Sequence, residues 1–430
     1  MPTLIADGAL DRDITAAEQF AHMETLVASI GGNPKKVLLV PPDYTRLNSG
    51  AGQLTAMLYR IFSASAQVDI LPALGTHVAM PEHELRDMFG PDIPLERFLV
   101  HDWRNGLVPL GEISGELIQE WSEGRVDYPV KIEISKTLVE GNYDLIFSVG
   151  QIVPHEVVGM ANYTKNICVG IGGGDTIHKS HFLGAAYGME RIMGQADSPP
   201  RQVFNYGCNT FLKDFPIHYV LTVMQKDLNS GRMQMRGLYA GSGDQLFEEG
   251  CRLCQQVNIN LLDRPIKKAV AFLDPHEFKS TWLGNKAVYR TRMAIEDEGE
   301  LIVLAPALRE FGEDPAIDRL IRKYGYRTTP EILAFVEQDD ELRQNLSAAA
   351  HLIHGSSEGR FTVTYCPGPA ISHDEIRSVG YEAGDLDAMM KRYNPDKLKD
   401  GFNIMPDGEE IFFVSNPALG LWALRERFMQ

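Results

Sequence analysis

Residues 150–182 read GQIVPHEVVGMANYTKNICVGIGGGDTIHKSHF and directly follow an apolar, strand-like run over residues 144–149. A strand needs no glycines where it ends, and a core helix needs no histidines. Glycine lets a backbone approach a ligand closely or adopt a positive φ. The stretch therefore predicts a ligand site at the end of a strand. Its polar and glycine residues are His155, Lys165, Gly170, Gly172, Gly173, Gly174, His178 and His181.

Two earlier strands have the same organisation, a buried run that ends in polar residues. These predicted strands are Lys36–Val40 and residues 68–71, and apolar residues at helical spacing over residues 50–62 connect them. In an open α/β sheet, ligands bind beyond the carboxyl ends of the strands. We therefore expect three loops to converge on one site. They carry, in chain order, Asp43, Thr45 and Arg46, then His77, then His155.

A turn-rich stretch near residues 258–265 predicts a boundary between two domains. We expect an N-terminal α/β domain over residues 1–260, a C-terminal α/β domain over residues 265–412, and a helix at about 415–430 that packs on the first domain. The predicted fold class is thus α/β, with two α/β domains and mainly parallel sheets. In the second domain we predict strands at residues 268–272, 301–304, 360–365 and 410–414, and a helix at 282–295.

Composition narrows the class of protein and its partners. The chain has 430 residues, 44% of them hydrophobic and 23% charged, as in an ordinary globular protein. A formal charge of −17 argues against nucleic acid or an anionic membrane surface as a partner. No apolar run reaches the length of a membrane span, and we expect no membrane partner. Five cysteines form no disulfide pattern, which predicts a cytoplasmic, reduced protein.

The spacing of a Pro-His pair ending at His155, of Lys165 and of His181 resembles the lactate racemase family, whose members use a nickel-pincer nucleotide. Lys165 lies ten positions after His155, and His181 lies sixteen positions after Lys165. The family has a Ser-Gly-Gly-Arg-like run before its lysine. This chain has Ala-Asn-Tyr-Thr at residues 161–164 instead, which indicates a divergent member.

Two N-terminal motifs extend the resemblance. Asp43-Tyr-Thr-Arg46 is similar to the family's Asp-x-Thr-Arg, and the Gly-Thr-His ending at His77 is similar to its first catalytic histidine motif. The resemblance implies that His77 and His155 are the catalytic pair and that Arg46 binds the substrate carboxylate through its planar fork. Asp43 and Thr45 would contact the cofactor, or Asp43 would orient the arginine.

The same resemblance implies how the cofactor is held. Lys165 would carry the nickel-pincer nucleotide covalently, and His181 would ligate the nickel ion, with His178 as a neighbour. In the second domain, Lys286 stands in a Lys-Ala segment like that of the family and would contact the substrate. Leu283 replaces a glutamine found there in many members, which changes the polarity expected of the pocket.

The function implied is that of a racemase or epimerase acting on C2 of a 2-hydroxy acid. The hydrogen at C2 would move as hydride to the nickel-pincer nucleotide (pyridinium-3-thioamide-5-thiocarboxylic acid mononucleotide with Ni²⁺) and return to the opposite face. The active site would lie in the cleft between the domains, and cofactor-synthesis enzymes would be partners. The substrate stays open among lactate, malate, a longer aliphatic acid and a sugar acid such as gluconate, and so does the oligomeric state.

Other function classes remain open at this point. A zinc-dependent hydrolase could use His155, His178 and His181, although a His-x-x-His pair needs further ligands. A non-catalytic small-molecule binding protein could use the same loops. A nicotinamide dehydrogenase is disfavoured, because the chain has no Gly-x-Gly-x-x-Gly at the start of a helix followed by an acidic residue about twenty positions later.

Overall fold

The structure, a computed structural model, describes residues 3–227 and 231–428. These residues form two compact units. The first unit comprises residues 3–187 and 191–258, and the second unit comprises residues 188–190 and 259–428. The chain passes from one to the other between Asn258 and Ile259, inside the turn-rich stretch that predicts a boundary.

The first unit is built on a six-stranded sheet, counted over its described residues. The strand order is β1-β10-β9-β6-β2-β3, in which β9, β6, β2 and β3 run parallel and β10 and β1 complete the sheet by antiparallel pairing. Two short antiparallel pairs, β4-β5 and β7-β8, lie outside it. The strands are β1 Thr3–Gly8, β2 Lys36–Val40, β3 Gln67–Ile70, β4 Leu107–Ile113, β5 Val130–Ser135, β6 Leu145–Gln151, β7 Pro154–His155, β8 Gly159–Met160, β9 Ile217–Lys226 and β10 Met233–Gly241.

Helices cover this sheet, and their packing buries its apolar strands. The central strand β6 is buried from Leu145 to Gly150, as expected of a parallel strand covered on both faces. Helix α2 packs the buried side chains of Leu54, Leu58 and Phe62 into the same core as Phe147 of β6. The helices are α1 Ala16–Ile30, α2 Ala51–Phe62, α3 Glu82–Phe89, α4 Gly115–Trp121, α5 Lys136–Glu140, α6 Thr164–Cys168, α7 Gly174–Tyr187, α8 Met189–Ile192, α9 Pro199–Phe211 and α10 Asp244–Asn258.

The second unit contains another six-stranded sheet among its described residues. Its order is β15-β14-β13-β12-β17-β16, and only the edge strand β16 pairs in antiparallel fashion. Both units therefore confirm the predicted α/β class with mainly parallel sheets. The strands are β11 Asn260–Leu262, β12 Ile266–Phe272, β13 Ile295–Ala305, β14 Thr362–Pro367, β15 Glu382–Ala383, β16 Gly401–Ile404, β17 Glu410–Val414 and β18 Trp422–Leu424.

Two helix predictions in the second unit are wrong. The helix predicted at residues 282–295 is two short helices that meet at Asn285, because the Asn285 side chain accepts hydrogen bonds from the hydroxyls of Tyr365 and Tyr381 and is fixed in the core. The helices of this unit are α11 Thr281–Gly284, α12 Lys286–Thr291, α13 Pro315–Tyr324, α14 Thr329–Gln338, α15 Asp340–Arg343, α16 Leu346–His354, α17 His373–Ser378, α18 Leu386–Arg392 and α19 Arg425–Phe428.

The segment predicted as a helix at about 415–430 has three parts within its described residues. A 3₁₀ turn over Pro417–Leu419 leads to strand β18, and α19 follows. Strand β18 pairs in parallel with β11 of the second unit and buries Ala423 completely, and this pairing satisfies backbone groups that a helix would satisfy internally. Packing of this segment on the first domain stays a prediction.

Helix length and cysteine state complete the description of the fold. Across residues 3–227 and 231–428, none of the helices combines the length and the apolar composition that a membrane crossing needs. The five cysteines are buried and none forms a disulfide. Cys251 and Cys254 lie on the buried face of α10, where the side-chain packing explains their spacing.

Candidate active site

Three loops of the first unit converge at the carboxyl ends of β6, β2 and β3, which are neighbours in the sheet. The parallel alignment continues past the strands, since Pro42 and Ala73 form a bridge between the first two loops. Together with α6 and α7 the loops enclose a cavity of about 230 Å³. Of the eight site residues predicted from the sequence, the seven that line this cavity are Asp43, Thr45, Arg46, His77, His155, Lys165 and His181.

Asp43 and His77 form a hydrogen-bonded pair on one side of the cavity. The Asp43 carboxylate accepts from His77 Nδ1 at 2.5 Å, and it also accepts from the backbone N–H and the hydroxyl of Thr45 at 3.2 and 2.5 Å. Burial raises the pKa of Asp43, but the hydrogen bonds from His77 and Thr45 outweigh it and leave the pKa lowered. The Asp43 hydrogen bond raises the pKa of His77 against the effect of burial.

This pair fixes the chemistry of the His77 ring. Because Nδ1 donates its proton to Asp43, Nε2 is the nitrogen at which the neutral ring accepts a proton. The His77 side chain is 59% exposed, whereas that of Asp43 is 8% exposed. Sequence analysis did not foresee that Asp43 would orient a histidine, and a contact of Asp43 or Thr45 with the cofactor stays a prediction.

His155 has the opposite electrostatic environment. Burial lowers its pKa well below the usual value, and the positive charges of Lys165, Arg46 and His181 act in the same direction, against Glu156. The ring is therefore neutral near pH 7. Its Nδ1 accepts a hydrogen bond from the backbone N–H of Val157 at 3.1 Å, so the proton sits on Nε2. In this tautomer His155 is a hydrogen-bond donor toward a ligand.

Lys165 lies in the first turn of α6 with a half-buried side chain. Burial first, and the charge of Arg46 second, lower its pKa to about 8. A lysine with such a pKa is neutral in a substantial fraction near pH 7 to 8, and a neutral amine is a nucleophile. This environment suits an amine that forms a covalent bond.

His181 and His178 lie on α7, as the spacing of a helix face predicts, but in different surroundings. His181 lines the cavity, and its Nδ1 donates to the backbone carbonyl of Ile177 at 2.5 Å, which leaves the lone pair on Nε2. His178 is absent from the cavity lining and packs edge-on against Trp103, with ring centroids 6.4 Å apart. The geometry thus distinguishes two histidines that the sequence presents alike.

The glycine-rich turn between α6 and α7 packs against the protein itself. A Cβ on Gly172 would lie 1.8 Å from the carbonyl oxygen of Cys168, and a Cβ on Gly170 would lie 2.4 Å from that of Asn166. Neither glycine has a positive φ. Close packing of the turn on α6 thus requires glycine at both positions, and Gly170 also lines the cavity, so a ligand role of this turn stays a prediction.

The other predicted residues lie in the second unit. Lys286 is the first residue of α12, and its Nζ lies 5.7 Å from the centroid of the Phe278 ring. Leu283 belongs to α11 and is half-buried. A role of Lys286 in substrate binding, and a site in the cleft between the domains, stay predictions.

Metal binding by protein ligands alone finds no support in the described parts of the chain. Residues 3–227 and 231–428 contain no group of three His, Cys, Asp or Glu side chains arranged to hold a metal ion. A zinc hydrolase based on His155, His178 and His181 would need such a group. Among the described residues, these three histidines do not form such a group.

Four polar residues near this cavity were missed by the sequence analysis. Gln151, Asn162 and Asn166 line the cavity, and Arg201 of α9 contacts the segment before Lys165. Gln151 ends β6, so its position two residues beyond the end of the predicted strand was the available signal. Nothing in the sequence links Arg201 to the lysine, because 36 positions separate them and only the packing of α9 on α6 joins them.

Comparisons with known proteins agree with this geometry. Residues 14–191 match the family model of the lactate racemase N-terminal domain. That range contains the seven predicted residues that line the cavity. A comparison with curated protein sequences gives no match.

Two solved structures have the fold of this chain. A Thermotoga maritima protein from a structural genomics consortium has a TM-score of 0.78 and 23% sequence identity, over 97% of this chain and 100% of that chain. The lactate racemase apoprotein from Thermoanaerobacterium thermosaccharolyticum has a TM-score of 0.70 and 16% identity, over 97% and 94% of the two chains. Residues 14–191 are thus similar to the lactate racemase N-terminal domain, and the chain has the fold of these two solved structures over 97% of its length.

Proposed function

We propose that the protein is a racemase or epimerase of 2-hydroxy acids that works with a nickel-pincer nucleotide attached to Lys165. The observation that carries the proposal is the cavity at the carboxyl ends of β6, β2 and β3. It combines an amine of lowered pKa, two histidines of opposite protonation behaviour, an arginine and a further imidazole. This set suits acid–base work on a bound carboxylic acid beside a covalently held group.

The residues present fit the proposed cofactor. Lys165 supplies a nucleophilic amine, and its conversion to an amide-type linkage removes a charge that burial and Arg46 disfavour. His181 supplies one imidazole whose lone pair is on Nε2. A single protein ligand is sufficient for a metal that brings its other donor atoms with the nucleotide, so the lack of a three-ligand group among the described residues is consistent with this fit.

When bound, the cofactor supplies an electrophilic ring that accepts the C2 hydrogen of the substrate as hydride and returns it. The chain positions the substrate for this transfer. Arg46 forms no side-chain hydrogen bond or ion pair within residues 3–227 and 231–428, and it lines the cavity. Its guanidinium can therefore bind both oxygens of the substrate carboxylate.

The two histidines divide the handling of the hydroxyl proton. His77 accepts this proton at Nε2 while Asp43 stabilises the resulting imidazolium. His155 donates a hydrogen bond from Nε2 and stays neutral. To act as the base for the other enantiomer, His155 must release the Val157 N–H and move its proton to Nδ1. The base role of His155 thus requires a local rearrangement, which His77 does not need.

The substrate class follows from the polar lining. Arg46 selects a carboxylate, and the amides of Gln151 and Asn162 offer donors and acceptors beyond those a methyl group needs. We therefore favour an acid with additional hydroxyl or carboxyl groups, such as a sugar acid or malate, over lactate. Enzymes that make the cofactor must act first, because Lys165 can be loaded only with finished nucleotide.

The test uses protein produced together with cofactor-synthesis enzymes. Intact mass should show the adduct, and the loaded protein should interconvert the enantiomers or C2 epimers of one acid in a panel of 2-hydroxy acids. In deuterated water, the product should keep protium at C2, because hydride transfer does not exchange that hydrogen with solvent. Solvent deuterium gained at C2 in step with inversion would show deprotonation at carbon instead. Binding without any inversion, in loaded protein, would favour the non-catalytic alternative.

A further inference from the structure

The segment that precedes Lys165 has an unusual backbone. Asn162 and Tyr163 have φ values of 65° and 58°, in the left-handed region that glycine adopts readily. For other L-residues this conformation is strained, and a tyrosine there is rare. Tyr163 is the N-cap residue of α6, so this strained pair sets the position from which the lysine helix begins.

A buried arginine holds both ends of the strained pair. Nη1 of Arg201 donates to the carbonyl of Asn162 at 3.1 Å and to the hydroxyl of Thr164 at 2.8 Å, and Nη2 donates to the carbonyl of Met160 at 2.6 Å. The planar guanidinium presents these donors in a fixed fork. Its three acceptors belong to Met160, two positions before Asn162, to Asn162 itself, and to Thr164, directly after the pair.

The same guanidinium also contacts the aromatic ring that packs on Tyr163. It lies 4.4 Å from the centroid of Phe247, and Phe247 stacks on Tyr163 with ring centroids 5.0 Å apart and planes at 14°. The Tyr163 hydroxyl donates to Asp244 at 3.0 Å. Main chain and side chain of this residue are thus both fixed.

Arg201 occupies its place at an electrostatic cost. The residue is 1% exposed and forms no ion pair with a carboxylate in residues 3–227 and 231–428, and its Nε–H lacks a hydrogen-bond partner there. Burial lowers its pKa to about 10. A buried charge without a counter-charge destabilises a fold unless hydrogen bonds offset it. The acceptors that offset it all belong to the segment before Lys165.

We propose that Arg201 is a positioning residue for Lys165: by holding residues 160–164 in their strained conformation, it presents the lysine amine to the cavity for nucleophilic attack. The proposal rests on the proposed function only for the identity of the natural reaction partner. The reactivity of the amine itself is measurable with a simple acylating reagent and no cofactor.

The test reaction is acetylation by an N-hydroxysuccinimide ester. The amine nitrogen attacks the ester carbonyl, a C–N bond forms, N-hydroxysuccinimide leaves, and the amine proton goes to solvent. Peptide mass spectrometry with limiting reagent gives the rate at Lys165 relative to exposed lysines of the same sample, between pH 6 and 10. The charged or titratable groups that face this amine are Arg46, Asp43, His77, His155, Glu156 and Arg201.

We expect Arg201→Met to reduce the relative rate at Lys165 on the order of tenfold, because misplacement of a nucleophile by about 1 Å can cost up to 10²-fold. Its rate should also rise at higher pH than in the wild type, because the positive charge of Arg201 favours the neutral amine. Arg201→Lys keeps the charge without the planar fork, so we expect an intermediate rate with little change in the pH profile.

Arg292→Met is the matched control. Arg292 is also buried, at 4% exposure, but it belongs to the second unit and pairs with Glu190. Both methionine variants should lower the melting temperature, and only Arg201→Met should change Lys165. An unchanged rate and pH profile in Arg201→Met, or an equal loss in Arg292→Met, would overturn the proposal. If Arg201→Met does not fold, Arg201→Lys decides it, since a wild-type rate there contradicts the need for the fork. Normal reactivity of Lys165 in a wild type that never gains the nucleotide would refute the proposed function alone.

Discussion

The two sides of the cavity position their histidines by different means. On the outer side (Asp43, Thr45, Arg46 and His77), an exposed imidazole is paired with a buried carboxylate, and its pKa is raised. On the inner side (His155, Lys165 and His181), the side chains are half-buried, the two imidazoles hydrogen-bond to main-chain groups, and the pKa values of His155 and Lys165 are lowered. Within one cavity, the pKa of one histidine is therefore raised and that of the other is lowered.

This difference indicates a division of labour. The outer side handles charge, because its carboxylate can stabilise an imidazolium and Arg46 can bind an anion. The inner side disfavours positive charge on His155 and Lys165, so His155 is a neutral hydrogen-bond donor near pH 7 and a fraction of Lys165 is the neutral, nucleophilic amine. Environment, rather than residue identity, assigns the roles.

The largest expected effect tests whether the inner side holds the nucleophile. Lys165→Ala should carry no cofactor after production with the synthesis enzymes and should show no racemase activity. Peptide mapping of loaded wild type should place the added mass on the Lys165 peptide. Lys131 is a control, because it is a lysine of the same unit outside the cavity lining. An adduct found on a different lysine would contradict the assignment of Lys165 as the nucleophile of the inner side.

The next effect tests whether His181, which the Ile177 carbonyl orients, is the metal ligand of the inner side. We expect His181→Ala to lose nearly all nickel, since His181 would be the protein's own donor to the metal, and His178→Ala to keep most of it. Metal analysis of both loaded variants gives the answer, with the covalent adduct quantified in parallel by mass. Equal nickel loss in both variants would mean that His178 holds the metal as well, or that α7 is disturbed as a whole.

A third effect concerns the carboxylate of the outer side. Asp43→Asn should lower kcat/KM on the order of 10²-fold, because His77 loses the partner that orients it and stabilises its charge. His77 must be unprotonated to act as the base, so the wild-type rate should fall as pH drops below a pKa raised above 6.5. Without the carboxylate this pKa falls, and the acid limb of the kcat/KM profile should move to lower pH.

The free energy of unfolding should depend on pH in the direction that the Asp43–His77 pair requires. The raised pKa of His77 means that its contribution is full below about pH 6.5 and is lost as pH rises through the folded-state value. The lowered pKa of Asp43 means that its contribution is present above about pH 4 and is lost as pH falls. The melting temperature of the wild type should therefore exceed that of Asp43→Asn most between about pH 4 and 6.5. A difference that is independent of pH would contradict the pairing.

The smallest effect tests how much Thr45 adds to the outer side. Thr45→Val removes the hydroxyl that donates to Asp43 but keeps the backbone N–H bond. One hydrogen bond to a charged carboxylate contributes about 1.5–3 kcal/mol to stability, and only the part that orients Asp43 affects the rate, so kcat/KM should fall about tenfold or less. Thr45→Ser, which keeps the hydroxyl, is the control and should be close to wild type. A loss as large as that of Asp43→Asn would give Thr45 a direct contact with cofactor or substrate.

The sequence could predict the residues of the cavity better than their interactions. Strand ends such as Val40 followed by polar loops are local signals, and parallel strands bring such loops together. The resemblance selects His181 over His178 by spacing, but their different surroundings are visible only in the structure, because His178 packs against Trp103, 75 positions before it. Arg201 had no local signal at all, since its partners are backbone carbonyls, which every residue possesses.

The helix break at Asn285 is a second feature that depends on residues far away in the sequence. Apolar spacing over residues 282–295 suits a continuous helix, yet the side chain of Asn285 is bound by Tyr365 and Tyr381, which come 80 and 96 positions later. Helix propensity is a weak preference that tertiary contacts override. Only a prediction that pairs distant segments can find such a break.

The hydrogen bond between His181 and the carbonyl of Ile177 has a consequence for which mutations this protein tolerates. Any amino acid at position 177 supplies that carbonyl, so the tautomer of His181 is robust to mutation there as long as α7 stays helical. The tautomer of His77 depends on one side chain, Asp43, and a single nucleotide change can remove it. Over evolutionary time the metal-binding role should therefore persist through drift in neighbouring residues, whereas the acid–base role is the easier one to lose or retune.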